Sequence, residues 1–260
     1  MHGLDWYDYG ARMYDAAIGY WNGVDAMSDK NISIGQYTYC HDNPINKFDL
    51  DGNDDYFSKY GTFLYSQGNG ANIFIQQGKS FALFQRFNLR SWNNLKVAAR
   101  IVGHYARIAG VKYSQNGGVG NVGISTLHHT DSQGIILAKT VGQDILIKMK
   151  NGKLNETMYN IFNLENTIWH ENKHKTDRRD LTPKIHMNII CNQILQETFQ
   201  KGSSEYQSGT IGYLVQKMNL VQKSEEYETY KVMRIVNKAI RSLGFKIVRK
   251  RGVYEYEIIQ

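Results

Sequence analysis

Five consecutive residues, His170-Glu171-Asn172-Lys173-His174, have the types and spacing for metal-assisted hydrolysis. On a helix, residues four apart lie one above the other, so both imidazoles point the same way and can grip one Zn²⁺. The carboxylate sits one step round the helix, near enough to take a proton from a zinc-bound water and so activate it. A bland alternative is a solvated, charged helix face with two incidental histidines. A catalytic zinc wants a third protein ligand and one open position. Three downstream residues are candidates: His186, Glu205 and Glu197. His186 follows the break Leu181-Thr182-Pro183, and a helix–turn–helix would fold it back over the motif. Glu205 starts a helix with Tyr206. Asp177 and Asp180 are candidates to orient an imidazole, and Tyr213 is a candidate donor to an oxyanion.

The motif needs a helix and a frame to hold it. Residues 156–177 carry helical spacing through Ile161, Leu164 and Ile168. Before them, 134–139 and 144–149 alternate as two strands with a short turn. After them, helices are expected over 184–199, from 203 through Tyr213-Leu214-Val215, and over 224–243. Residues 245–248 and 253–259 read as a hairpin around Gly252. Upstream, Leu95, Ala98, Ala99, Val102, Tyr105 and Ala106 mark an amphipathic helix over 91–110, closed by Gly110. Strands and glycine turns are expected over 56–65 and 72–76. The predicted class is α+β, with a small sheet and one active-site helix.

Composition narrows the options. The 260 residues are enough for one large domain, or for a small segment followed by one ordinary domain. Two cysteines, Cys40 and Cys191, form no disulfide framework. No apolar run is long enough to span a bilayer, and no signal peptide is visible at the N-terminus. The formal charge of +7 is spread thinly, with one dense run from Lys246 to Arg251 that reads first as a solvated strand and turn. Nucleic acid is not expected as a partner. An alternative nuclease reading would use His128 and His129, but neighbours on a strand point to opposite faces and do not easily share an ion. The glycine-rich stretch Gly117 to Gly123 lacks the Lys-Ser/Thr of a phosphate loop.

Residues 1–52 are of another kind, dense in Tyr, Trp, Asp and Gly. Tyr7-Asp8-Tyr9-Gly10-Ala11-Arg12-Met13-Tyr14-Asp15, Gly19-Tyr20-Trp21, Tyr37-Thr38-Tyr39, Asn43-Pro44 and Asp49-Leu50-Asp51-Gly52 resemble the RHS repeat-associated core of polymorphic toxins. In that family the core closes a β-repeat shell and a variable toxin domain follows. Leu50 stands where the family's usual ending has proline. His174 to Phe199 resembles the metallopeptidase-like toxin domains that follow such cores, whose second helix reads His-x-x-x-Tyr-x-x-Gln before an aromatic residue. His186, Gln193 and Phe199 fit, whereas Ile190 replaces the tyrosine. Looser matches lie at Asn94-Leu95-Lys96-Val97 and Gly134-Ile135-Ile136. The resemblance implies an RHS core tail over 1–52, a linker over 53–74, and a zincin-like metallopeptidase toxin domain over 75–260. It implies Zn²⁺ held by His170, His174 and His186, and a protein or peptide substrate. It also implies a cognate immunity protein and an N-terminal RHS shell, on a secreted or cell-surface precursor acting in a target cell. The competing reading from another class is a catalytically silent interaction domain of a cell-surface RHS protein.

Overall fold

A computed structural model describes residues 6–8, 13–15, 20–23, 52–111, 122–126, 138–141, 143–176 and 182–259. His128, His129, Asp177, Asp180, Cys40 and most of the residues that resemble the RHS core lie outside these. The chain forms two compact units, Met1–Arg86 and Phe87–Gln260.

In the first unit, β1 (Trp6–Asp8), β2 (Met13–Asp15) and β3 (Tyr20–Trp21) make an antiparallel meander. A separate sheet has the order β5-β4-β6-β7, from β4 (Gly52–Phe57), β5 (Phe63–Asn69), β6 (Ile73–Gln77) and β7 (Ser80–Leu83). Residues 53–74, read from sequence as a linker, therefore lie largely in strands. Their aromatic residues give the physical reason: Tyr56 stacks on Tyr65 and Phe74 and meets Phe81 edge-on. Because β4 and β6 are parallel while β5 lies on the far side of β4, residues 70–72 must cross the end of β4. Asp54 holds that crossing. Its buried carboxylate accepts from the backbone and side-chain amides of Asn72. A Cβ at Gly70 would fall 2.2 Å from Asp54 Oδ1, so the crossing needs glycine.

The second unit is built round one helix. Its elements are α1 (Trp92–Ile108), β8 (Val122–Thr126), β9 (Ala138–Val141), β10 (Asp144–Lys150), β11 (Lys153–Leu154), α2 (Ile161–Thr176), α3 (Pro183–Ile194), α4 (Glu197–Gln200), α5 (Ser204–Leu220), α6 (Glu226–Ile240), β12 (Phe245–Lys250) and β13 (Val253–Ile258). β10 pairs with β8 in parallel along one edge, and with β9 and β11 antiparallel at opposite ends of the other. A two-residue turn joins β10 to β11, with Asn151 and Gly152 both at positive φ, the conformation that favours Asn-Gly. Thr140 and Ala138 pair with Ile145 and Ile147, so these four share one face of the sheet, and α2 packs against β9 and β10. On its other sides α2 meets α1, α3 and α4. The expected helices and the final hairpin are all present. The expected helix over 156–177 begins as a 3-10 turn, Glu156–Tyr159, and the one over 184–199 is interrupted at Leu195–Gln196.

Enclosure on so many sides leaves α2 little exposed surface, yet its sequence is rich in polar residues. Asn163, Asn166, Thr167, His170 and Glu171 are all buried. Such groups are tolerated only when paired. Asn163 donates to the Thr157 carbonyl and to Ser203 Oγ, and its Oδ1 accepts from the Ser203 amide. One side chain thereby ties the start of α2 to the start of α5. Asparagine does a similar job at the C-terminal hairpin. Asn237 of α6 exchanges two hydrogen bonds with the backbone of Ile247, and Asn219 of α5 does so with Tyr254. Each side-chain amide mimics one residue of a neighbouring strand, and so occupies an edge that would otherwise be open. In the basic run, Arg249 pairs with Glu226 and Lys250 with Glu257.

Replacing Asn163 by Ala removes three hydrogen bonds and strands the Ser203 amide. The expected loss is roughly 2–4 kcal/mol of unfolding free energy, read as a lower urea midpoint with an unchanged slope. A loss below about 0.5 kcal/mol would mean that water replaces the side chain there.

Candidate metal centre

His170 and His174 stand one turn apart on α2, and His186 stands in the first turn of α3. The α3 start is well specified. Thr182 caps it by accepting from the Ile185 amide, and Pro183 occupies the first turn, where its missing N–H costs nothing. α3 packs against α2 and brings His186 to the motif histidines.

The three imidazoles converge through the same atom. His174 Nε2 lies 2.9 Å from His170 Nε2, and His186 Nε2 lies 3.3 Å from it. Among the described residues this is the group of three whose ligand atoms all fall within 4.8 Å of one another. Tetrahedral coordination at the ~2.0–2.1 Å of zinc–imidazole bonds separates ligand nitrogens by about 3.3–3.4 Å. The observed spacing is close to that edge, so the donor set fits a small tetrahedral cation. Its chemistry fits as well. Burial, together with the facing imidazoles, pushes His170 down to about 3. Burial, His174 and the ammonium of Lys217 push His186 down to about 3. Neutral imidazoles are what a metal requires as ligands.

Glu171 follows His170 on α2 and is buried. Burial raises its carboxyl above the usual range, and Thr140 opposes the rise by hydrogen bonding. Thr140 Oγ1 reaches both Glu171 Oε2, at 2.7 Å, and the Glu171 carbonyl, at 3.0 Å. Strand β9 is thereby tied to the motif helix at the carboxylate. Tyr213 of α5 meets the His186 ring edge-on at 5.2 Å and is 39% exposed. Burial, then the neighbouring Glu171 charge, raises its phenol. The tyrosine named from sequence as a candidate oxyanion donor therefore packs its ring against His186.

The two carboxylate alternatives do not join them. Glu197 is exposed and pairs with Lys201 at 2.7 Å, and Glu205 is exposed at the start of α5. Two supporting residues went unassigned in the sequence reading. Gln193 Oε1 sits 2.7 Å from His170 Nδ1, and Gln193 Nε2 donates to Tyr206 Oη at 3.0 Å. Gln193 belongs to the pattern that His186 opens, but only the fold shows that it contacts His170.

Two outcomes are expected. His186→Ala abolishes tight metal binding, whereas Glu197→Ala and Glu205→Ala leave metal stoichiometry unchanged, as read by elemental analysis after dialysis. For His170 and His186 the folded pKa lies below the ordinary 6.5, so the unfolded chain binds more protons between the two values. The metal-free protein therefore loses stability as pH falls from about 6.5 towards about 3. Urea midpoints should fall more steeply with acidification for the native sequence than for His186→Gln; equal slopes would count against burial of a neutral imidazole.

The sequence profile of a family described as metallopeptidase toxin 2 matches residues 55–250. No match was found among curated proteins or among solved structures. The matched stretch is most of the chain and contains all three histidines and Glu171, so the chain belongs to the metallopeptidase toxin 2 family.

Proposed function

We propose that the Phe87–Gln260 unit is a zinc-dependent peptidase in which His170, His174 and His186 hold the ion and Glu171 is the general base. The observation that carries this reading is the meeting of three Nε2 atoms at the helix that also carries the buried carboxylate of Glu171. Zinc, when bound, supplies a Lewis acid that brings the pKa of water towards neutrality. Glu171 accepts the proton of the attacking water and later passes it to the leaving amine. Thr140 holds the carboxylate by a hydrogen bond, and this restrains its rotation. The Tyr213 hydroxyl donates to the oxygen on which negative charge develops. β9 suits a peptide substrate. Among the described residues its outer edge carries no strand, so an extended chain can pair there by backbone hydrogen bonds.

The resemblance of residues 1–52 to an RHS core supports a wider setting. In this setting the peptidase is the terminal effector of a larger RHS protein, exported or displayed at the cell surface. It acts on a protein in a target cell and is restrained in its producer by an immunity protein. The nuclease alternative has less support. The basic run that it would use has two members already paired with glutamates. For the silent interaction domain, neutral imidazoles meeting at hydrogen-bonding distance beside a general base would have no use.

Full-length protein should retain about one zinc per chain and cleave an unfolded protein substrate. Glu171→Gln should keep the zinc and lose at least about 10³-fold in kcat. Tyr213→Phe should lower kcat by about 10²-fold with little change in KM. Undiminished cleavage by the Glu171→Gln variant, or by chelator-treated protein, would sink the proposal.

A further inference from the structure

We infer that a buried hydrogen-bond relay, Asn166–Tyr206–Gln193, fixes the proton of His170 on Nδ1 and so keeps its Nε2 lone pair facing His174 and His186 before any metal arrives. This deepens the zinc reading above and rests on it for its purpose, though the relay itself is a property of the metal-free chain. All three side chains of the relay are buried, as is His170.

The direction of each bond follows from one group that has no choice. The main-chain carbonyl of Gln193 can only accept. Asn166 Nδ2 lies 3.2 Å from it, and also 3.0 Å from Thr198 Oγ1, so the amide nitrogen of Asn166 faces that way. Asn166 Oδ1 is then turned to Tyr206, and the phenol donates its one hydrogen to it at 3.0 Å. With that hydrogen used, Tyr206 Oη can only accept from its other neighbours. Gln193 must therefore present its NH₂ to Tyr206, and the Thr167 hydroxyl, 2.9 Å away, must also donate. Gln193 Oε1 is thereby directed at His170, 2.7 Å from Nδ1, and an amide oxygen accepts only from Nδ1–H. A neutral imidazole carries one N–H, so Nε2 is left as the acceptor. The reversed amide would place an N–H on the Nδ1 side and move the ring proton to Nε2, where it would block the ligand position.

The relay also joins the two halves of the site. Asn166 and Thr167 belong to α2, Gln193 to α3 and Tyr206 to α5. Gln193 lies two turns along α3 from His186, so the helix that supplies the third imidazole also sets the proton of the first. Gln193, Tyr206 and Asn166 are positioning residues; none of them is among the three converging ligands.

The test uses the full chain, labelled with ¹⁵N-histidine and freed of metal by chelation. Imidazole ¹H–¹⁵N correlations at pH 7.5 should show His170 as the Nδ1–H tautomer, assigned by its loss in His170→Gln. In Tyr206→Phe the Gln193 amide loses its orienting acceptor, and His170 should become a mixture. Zinc affinity, measured by competition with a chromogenic chelator, should fall about 10- to 100-fold in Gln193→Met and by a smaller factor in Tyr206→Phe. An Nε2–H tautomer in the unsubstituted metal-free chain would overturn the inference, whatever the variants do. Zinc affinity within twofold of the parent in a folded Tyr206→Phe or Gln193→Met protein would overturn it too. Failure of the unsubstituted chain to bind zinc would refute the proposed function instead, and would leave the tautomer measurement to decide the relay.

Discussion

The fold of the second unit depends on burying a polar helix without leaving its polar groups unpaired. Three imidazole nitrogens must meet, with those of His174 on α2 and His186 on α3 lying 2.9 and 3.3 Å from that of His170 on α2. Holding them there needs α2 and α3 fixed to a fraction of an ångström, since ligand geometry tolerates little error. An apolar seam fixes distance well but direction poorly. Here Asn163, Asn166 and Thr167 add direction, because each bonds to a named group on α3, α5 or a flanking turn. Every partner must be in place at once, which is how a fully satisfied polar core specifies a single arrangement.

The same device recurs away from the site. Asn219 and Asn237 hold the C-terminal hairpin on α5 and α6 through paired backbone hydrogen bonds. Since α5 also carries Tyr206 and Tyr213, the hairpin supports the helix that supports the metal centre. Apolar contact does the rest. Ile211, Leu214 and Met218 of α5 are buried, as are Met187, Ile190 and Ile194 of α3, and the two helices pack together along these rows. Deleting any one of them would be expected to cost on the order of 2–5 kcal/mol. The apolar seam therefore supplies most of the stability, and the amides set the register.

Legibility from sequence divided along the same line. The motif His170-Glu171-Asn172-Lys173-His174 displayed two candidate ligands and a candidate base because i,i+4 spacing is a local property of a helix. His186 was legible because Thr182-Pro183 announces a helix start at a fixed short distance. Helices such as α1 were legible from their periodic apolar stripe. Gln193 and Tyr206 were not assigned roles, since Gln193 meets His170 23 residues away, Tyr206 meets Thr167 39 residues away, and glutamine in a helix ordinarily reads as surface. Asparagines at 163 and 166 misled in the same way: they dilute the apolar pattern of α2 although they are fully buried. The strand content of 53–74 was half legible. Aromatic alternation marked the strands and the glycines between them read as turns, but only the fold shows that Gly70 serves a close crossing over Asp54.

The polarity of α2 also bears on how the domain exists without metal. Bringing three neutral imidazoles together with a buried carboxylate stabilises nothing by itself; the depressed histidines and the raised Glu171 each mark a cost of assembling the site. A divalent cation reverses that sign, because it attracts the three lone pairs and the neighbouring carboxylate alike. Metal binding at this site would therefore be coupled to the stability of the α2–α3 pair. For a metal that arrives after folding, such a preformed site has an advantage. The ligands need no rearrangement to receive the ion, so the energy of binding is not used to order them.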